Sequence, residues 1–577
     1  FSQMVHNKVL LVATLGFILF AQMTTNLASN VVPPAYAFMD AFKMKHRTAV
    51  ILVGVLAVCT CPWILTNDSS AAGLDLFVKI YTAFFGPIFA VLITDYYILH
   101  RGKMEGAALD DLYDDNGTHS GINWAAIIAT AVGAQAVTEG NIGIKDGRIA
   151  ALLEAGQEPE AAKVIDAKGK YVFPGAIDTH AHLNDPGYEW REDYEHGTAA
   201  AAMGGYTTII DMPLQNEPAM TNAAIFDRKV EKVDCNAYTD YCFWGGLVPD
   251  NFDELEGLHE KGCVAFKSFI GPVSPDYSSL NYGQAYEAME RIKEFGGRAG
   301  FHCEDFSMIK WQEARMKREG RMDWQGFLDS RPVIAEMVAT VDMIEIAKAT
   351  GCKVHICHVS SPDVAQKIKE AQQAGYDVTA ETCSHYLSLT DQDVLANGPL
   401  FKCAPPLRSK EDVDRLWAYV EDGTFSGIAS DHSPCSYDEK FKEILGNKIE
   451  NVFDVWGGIS GIQSGFQVAF NEGCVKRGVD PRVLARAMAL NPAKAFGIYG
   501  KKGDILPGFD ADLVIIDPEK EWEITSESLL YVNKISAFVG MKGRGLPVCT
   551  IIRGNVVAED GKITAEKGVG TLVRRLS

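Results

Sequence analysis

The sequence predicts an α/β protein built on a (β/α)8 barrel with a small β-sandwich drawn from both flanks, preceded by an all-α transmembrane segment. Three observations predict it. Residues 9 to 39, 48 to 67 and 80 to 94 carry no charged side chain, whereas beyond about 140 charges recur every few positions. From about 176 to 480, short β-rich runs alternate with helical stretches such as SPDVAQKIKEAQQAG, the pattern of a parallel sheet. Outside that span, NIGIKDGRIAALLE, KKGDILPGFDADLVIIDPEKEW and TIIRGNVVAEDGKI read as short strands punctuated by Gly, Asp and Pro turns.

The first region comes first in the chain. Uncharged stretches near 20 residues are long enough to cross a bilayer as helices. Cations gather in DAFKMKHR (40 to 47) and HRGKMEG (100 to 106), and two spans separate these loops, so both can face the cytoplasm. Through TTNLASNVVPPAYAF, GPIFAVLITDYYILHRG and GINWAAIIA the region resembles the nucleobase and allantoin permease family of cation symporters. The resemblance covers about the last third of such a transporter, without the paired repeats that build a midplane site. The expectation for 1–136 is a partial transporter of three to four membrane helices, from a chain fragment that opens at Phe1 and does not transport alone.

The flanks follow, with 137–178 and 481–577 expected to pair into the sandwich and 179–480 to close the barrel. At about 300 residues, a closed TIM-like eight-fold barrel is the natural form for such alternation. The 577 residues, 47% hydrophobic and 22% charged, suit two or three folded domains, and a net charge of -21 excludes a nucleic-acid partner. The 13 cysteines are odd in number and lack CxxC pairs, which fits reduced thiols facing the cytosol.

Barrel chemistry sits at the carboxyl ends of the strands. There the sequence places His180 and His182 in GAIDTHAH, Lys267 in CVAFKSF, His302 in RAGFHCED, His358 in KVHICHVSS, His385 in DVTAETCSHY and Asp431 in SGIASDHSP. Among the 13 histidines, His6, His46, His100 and His119 lie in or beside the membrane region, and His196 reads as a surface or packing residue. On a strand His355 and His358 face opposite sides, and His358 is nearer the strand end. Lys267, flanked by Phe266 and Phe269, is costly to bury. It either pairs with an aspartate or, neutralised by burial, adds carbon dioxide to form a carbamate that bridges two divalent ions. Four histidines and an aspartate at neighbouring strand ends favour the carbamate. Asp431 is either a turn former or a general base.

Set in order, these residues resemble the cyclic-amidohydrolase family of hydantoinases, dihydropyrimidinases, dihydroorotases and allantoinases. HAHLNDPG, AAAAMGGYTTIIDMPLQNEP, VAFKSFIG, GFHCED, DSRPVIAE, HICHVSSPDV, ETCSHYL, FKCAPPLRS, ASDHSPC and WGGISGIQSG carry the resemblance through almost all of 141 to 577. The chain is most similar to the allantoinase branch. Leu183 and Asn184 stand where dihydroorotases carry an arginine, Tyr277 comes too late for the hydantoinase tyrosine, and Gln463 lies in the allantoinase form of WGGISGIQSG. Tyr188 and Ala404 depart from the arginine and serine common in that branch.

The resemblance implies two divalent ions, zinc first and cobalt, manganese or nickel also compatible, held by His180, His182, Lys267 as N6-carboxylysine, His302, His358 and Asp431. It makes Asp431 the general base that opens the ring of a small ureide, allantoin, with Asn184, the backbone around Cys403, and Ser433 as substrate contacts. It also implies a homotetramer. Two other readings stay open: a hydantoinase or dihydropyrimidinase, and a membrane transporter with an inactive, metal-free hydrolase domain. At the seam, AAIIATAVGAQAVTEG stands where the family has a sandwich strand. If INWAAIIATAVGAQAV spanned, the hydrolase would lie outside, so the expectation is that it does not span and that the hydrolase faces the cytoplasm from the membrane.

Overall fold

The computed structural model describes residues 139–154, 157, 161–271 and 277–576. The expected membrane helices of 1–136, and residues 125–138 of the seam segment, lie outside the described residues. Among the described residues no helix is long and apolar enough to cross a membrane.

An Asp-Gly pair opens the fold. Asp146 and Gly147 both take positive φ, 51° and 75°, the mirror-image turn that joins tightly paired strands. The turn links β1 (Gly140–Lys145) to β2 (Arg148–Glu154) as an antiparallel hairpin. This hairpin meets the far end of the chain, where Ile149 N donates to Phe509 O at 2.9 Å and Gly508 N to Ile149 O at 2.8 Å. β3 (Tyr171–Pro174) precedes the barrel but belongs to another sheet.

Eight parallel strands then follow in chain order around the barrel: β4 (Ala176–Ala181), β5 (Tyr206–Asp211), β6 (Asp240–Gly246), β7 (Ala265–Phe269), β8 (Arg298–His302), β9 (Lys353–Ile356), β10 (Val378–Cys383) and β11 (Gly427–Ala429). Every residue of β4 to β8 is buried, as expected for strands covered on both faces. Helices such as Ala223–Val233, Tyr282–Glu294 and Pro362–Gln373 cover the outside. Their starts are written in the sequence: Asn222, Asn281 and Ser361 each accept a backbone N–H of the first turn, and Pro362 follows its cap directly.

The ring is nearly closed by side chains and one bridge between the first and last strands. Ala181 pairs with His432, His182 N donates to His432 O at 2.8 Å, and Ser430 N donates to the Asp178 carboxylate at 3.0 Å. After β11 come a short hairpin, β12 (Glu443–Ile444) and β13 (Asn447–Lys448), and the helices that lead to residue 495. The chain ends in β14 (Leu513–Glu523), β15 (Lys542–Ile552), β16 (Asn555–Glu559) and β17 (Lys562–Ile563), which with β3 make a five-stranded antiparallel sheet. Leu513, Ile515, Cys549 and Ile551 of that sheet pack with Ile142 of β1 and Ile165, so strands from both flanks share one apolar layer.

At the amino end of the barrel strands, Lys502 ties the two parts together. Its ammonium contacts Asp240 at the start of β6 (2.5 Å), Asp510 (2.9 Å) and Asp512 (2.6 Å). The eleven cysteines among the described residues are all free.

Candidate metal centre

At the opposite end of the strands the expected residues converge. His180 is the fifth residue of β4 and His182 follows the strand, and alternation brings both rings to Asp431: His180 Nε2 lies 3.4 Å and His182 Nε2 3.6 Å from Oδ1. His302 ends β8 and His358 follows β9, with His302 Nδ1 and His358 Nε2 3.1 Å apart. Two ligands on one tetrahedral zinc are separated by roughly 3.3 Å, so this pair already has the spacing of a shared ion. The rings of His180 and His358 lie 5.1 Å apart, which joins the two halves into one site.

Lys267 stands between them, fully buried. Its Nζ has no hydrogen-bond partner and sits 5.1 Å over the Phe269 ring, which in turn stacks on His302. The aspartate partner offered by the simpler reading of its burial is absent among the described residues. An unpaired amine in a dry interior is costly, and its field is felt by both His180 and His358.

His180 and His358 are held neutral. Burial first, then the Lys267 charge, brings His180 down to about 4, and the same two causes hold His358 well below the ordinary imidazole value. Burial opposes ionisation of Asp431, but the facing His180 and His182 hold its carboxyl well below the usual carboxylate range. Neutral imidazoles beside an ionised carboxylate are the protonation states that a divalent ion requires of its ligands.

A ring of outer carboxylates fixes these rings. Glu381, buried on β10, accepts from His180 Nδ1 at 2.5 Å, takes the Thr179 hydroxyl, and lies 3.4 Å from His355 Nε2. Glu304 accepts from His302 Nε2 at 2.9 Å and is itself gripped by Arg331 at 2.6 Å. Burial acts to raise Glu304, yet Arg331 and His302 bring it to about 2. Each bond fixes which ring nitrogen carries the proton and leaves the other free for an ion.

Backbone strain gathers here. Asn184, Gln215, His358 and Asp431 take φ of 46°, 58°, 37° and 42°, a region that non-glycine residues occupy only when their surroundings hold them there. The strain also alters one expectation: β9 ends at Ile356, so strict alternation no longer governs His358. Its left-handed backbone turns the ring onto His180 and His302 while His355 reaches Glu381 from within the strand, so both rings face the interior at different depths.

The three expected substrate contacts are placed differently. Asn184 is buried, its amide nitrogen donating to the Gln215 side chain at 3.1 Å while Oδ1 has no partner. Cys403 precedes the cis Ala404–Pro405 bond, its thiol directed to Pro405 O at 3.3 Å. Ser433 lies two residues beyond Asp431, and its side chain fills the space that a methyl at Gly458 would need. Of the departures, Tyr188 lies under Arg191, which is also within 4.3 Å of the Trp456 ring and is bound to Glu439 at 2.5 Å. Tyr277 donates to the Lys267 carbonyl at 2.6 Å and Gln463 braces Ser528 and Leu530, so both are structural here.

Sequence reasoning passed over Glu381, Glu304 and the Arg191–Glu439 pair. The signal for the first two was present: each is an acid within two residues of a strand-end His or inside an apolar strand, in GFHCED and DVTAETC.

With this geometry in hand, comparison with known proteins gives a consistent result. Residues 171–557 match the amidohydrolase family, and residues 2–156 match the family described as permease for cytosine/purines, uracil, thiamine, allantoin. The allantoinase of Rubrobacter xylanophilus is 38% identical over 429 residues, 74% of this chain and 92% of that protein. An Escherichia coli O1:K1 allantoinase is 38% identical over 436 residues, 74% of this chain and 94% of its own. Among solved structures, the L-hydantoinase (dihydropyrimidinase) from Arthrobacter aurescens is similar with TM-score 0.74 and 34% identity, over 77% of this chain and 97% of that one. From residue 171 to 557, the chain belongs to the amidohydrolase family.

Proposed function

We propose that the chain hydrolyses the hydantoin-ring amide of allantoin to allantoate, with two divalent ions held by His180, His182, Lys267 as its carbamate, His302, His358 and Asp431. The observation that carries the metal assignment is Lys267: a fully buried amine with no hydrogen-bond partner among the described residues, set between two pairs of histidines. Addition of carbon dioxide forms an N–C bond, releases a proton, and turns the unpaired amine into an anion with two oxygens. The nitrogen and oxygen donors fit zinc, and cobalt, manganese or nickel equally by donor type.

When bound, the ions supply Lewis acidity toward the ring carbonyl and activate water at neutral pH. The chain's own groups do the rest. Asp431, ionised at the seam of the barrel, accepts the proton of the attacking water and delivers it to the departing ring nitrogen. Glu381 and Glu304 hold His180 and His302 in one tautomer. Asn184 Oδ1, the backbone at Cys403, and Ser433 are assigned to the ring of the substrate.

The similar solved structure from Arthrobacter aurescens is an L-hydantoinase (dihydropyrimidinase), which keeps a hydantoin or dihydropyrimidine substrate as the second reading. Assaying the purified full chain in detergent on allantoin, hydantoin and dihydrouracil separates the two. Preferential formation of allantoate supports the first, and turnover of hydantoin or dihydrouracil without allantoate overturns it. Fewer than one divalent ion per chain would point instead to a transporter with an inactive hydrolase.

The same proposal covers organisation. Residues 1–136 form a partial transporter of three to four membrane helices, 137–178 with 481–577 the sandwich, and 179–480 the barrel, with the hydrolase facing the cytoplasm and assembling as a homotetramer. The charge seam of the sequence and the permease match over 2–156 support the membrane part.

A further inference from the structure

Strand β10 contributes more to the barrel mouth than Glu381. Alternation puts Cys383 on the face of Glu381, one step nearer the mouth, and His385 lies two residues beyond it. His385 is fully buried, packed edge-on against Tyr386 with ring centres 4.3 Å apart, and both of its ring nitrogens lack a hydrogen-bond partner. A buried imidazole usually satisfies at least one nitrogen. The free nitrogens have neighbours of a particular kind: the Cys383 sulfur, a His385 ring nitrogen and an Asp431 carboxylate oxygen all lie within 4.8 Å of one another.

The described residues hold one other cluster that could be compared with it and has no part in the proposed catalytic centre, Asp240 with Asp510 and Asp512, and there Lys502 fills the space between the acids. Between Cys383, His385 and Asp431 the structure gives no such cation. A tetrahedral site with sulfur and nitrogen ligands needs donors roughly 3.3 to 3.8 Å apart, so a contraction of about 1.5 Å at most would complete the set.

We infer that Cys383, His385 and Asp431 form a third cation position, for a soft or borderline divalent ion such as zinc, cobalt or cadmium, overlapping the catalytic pair at Asp431. It rests on the reading of Asp431 as the general base. Binding breaks the S–H bond of Cys383, releases that proton to solvent and forms a sulfur–metal bond. The incoming ion also occupies the carboxylate that would take the proton from water, so excess metal inhibits.

The mixed donor set provides its own readout, because the proposed catalytic ligands contain no sulfur. Full-length protein in detergent, already loaded with catalytic metal, is titrated with cobalt while near-ultraviolet absorption, bound metal and allantoin hydrolysis are followed together. Activity and metal content before the titration test the underlying reading, and their absence would overturn that reading separately. The expected course is a thiolate-to-cobalt band that grows with metal beyond the catalytic complement as turnover falls. Cys383→Ser removes the band and keeps turnover at high metal. His385→Gln, a second variant should the first fail to fold, weakens the inhibitory metal by about tenfold or more. No sulfur band in the wild type, or unchanged inhibition in Cys383→Ser, overturns the assignment.

Discussion

Lys502 and Lys267 are both fully buried, one at each end of the barrel strands, and their surroundings are opposite. Lys502 is ringed by Asp240, Asp510 and Asp512, which hold its pKa well above the ordinary lysine value despite burial. Lys267 has no carboxylate partner and no hydrogen bond among the described residues. Donor spacing alone would nominate both places, since Asp240, Asp510 and Asp512 lie as close together as His180, His182 and Asp431. The difference is where the positive charge comes from. At the lower end the chain supplies it, and the cluster is a structural tie between β6 and the C-terminal flank. At the upper end the chain sets an acid and imidazole rings together, and on the reading proposed above the cation is one to be brought in.

Four changes break or sharpen that contrast. The largest effect is expected from Asp431→Asn, which keeps the shape and removes the base: kcat on allantoin should fall by about 10²–10⁴-fold, while the circular dichroism spectrum is unchanged. A loss under threefold would remove Asp431 from the role given to it. Lys502→Met should act on stability alone, because it takes the shared counter-charge from three buried acids, of which Asp240 alone keeps another in Arg553; urea unfolding should show a loss of about 3–5 kcal/mol with bound metal unaltered. If bound metal falls while stability holds, the two ends are not the opposites described here.

A smaller effect is expected at Glu381→Gln, where the carboxylate that fixes His180 becomes an amide. Metal affinity measured by competition with a chelator should weaken by about 10–100-fold, and Glu381→Asp should recover part of it. The smallest change is Gly458→Ala, whose new methyl overlaps the Ser433 side chain. Because the methyl also meets the Ser433 carbonyl, it should cost about 1–3 kcal/mol of stability and raise KM more than it lowers kcat. Equal changes in both constants would take Ser433 out of substrate binding.

Much of this was legible in the chain. The Asp146–Gly147 turn, the caps at Asn222 and Ser361, and the barrel strands follow from local chemistry, and local rules are what a sequence displays. The gathering of the six proposed ligand residues at one end of the barrel was legible because strand alternation and strand ends are also local. What stayed hidden depends on distance or on unusual backbone. Lys502 meets Asp240 across 262 residues, and no pattern near either announces the other. The positive φ of His358 and Asp431 is imposed by packing, so spacing alone placed His355 and His358 on opposite faces. Glu381 was overlooked because an acid in an apolar strand looks like an exception until its partner His180, 201 residues away, is brought beside it.

The barrel closes where Ala181 meets His432, and that joint unites residues from the beginning and end of the ring: Asp178 and Ser430 bond across 252 positions of chain. His180, His182 and Asp431 flank the same joint. During synthesis His180 and His182 emerge long before Asp431, and the other proposed ligands, Lys267, His302 and His358, also precede it, so until the last strand docks the set lacks its one aspartate. On the two-ion reading proposed above, high-affinity capture would wait for the last strand to dock, and uptake of metal would become a timer for completed folding.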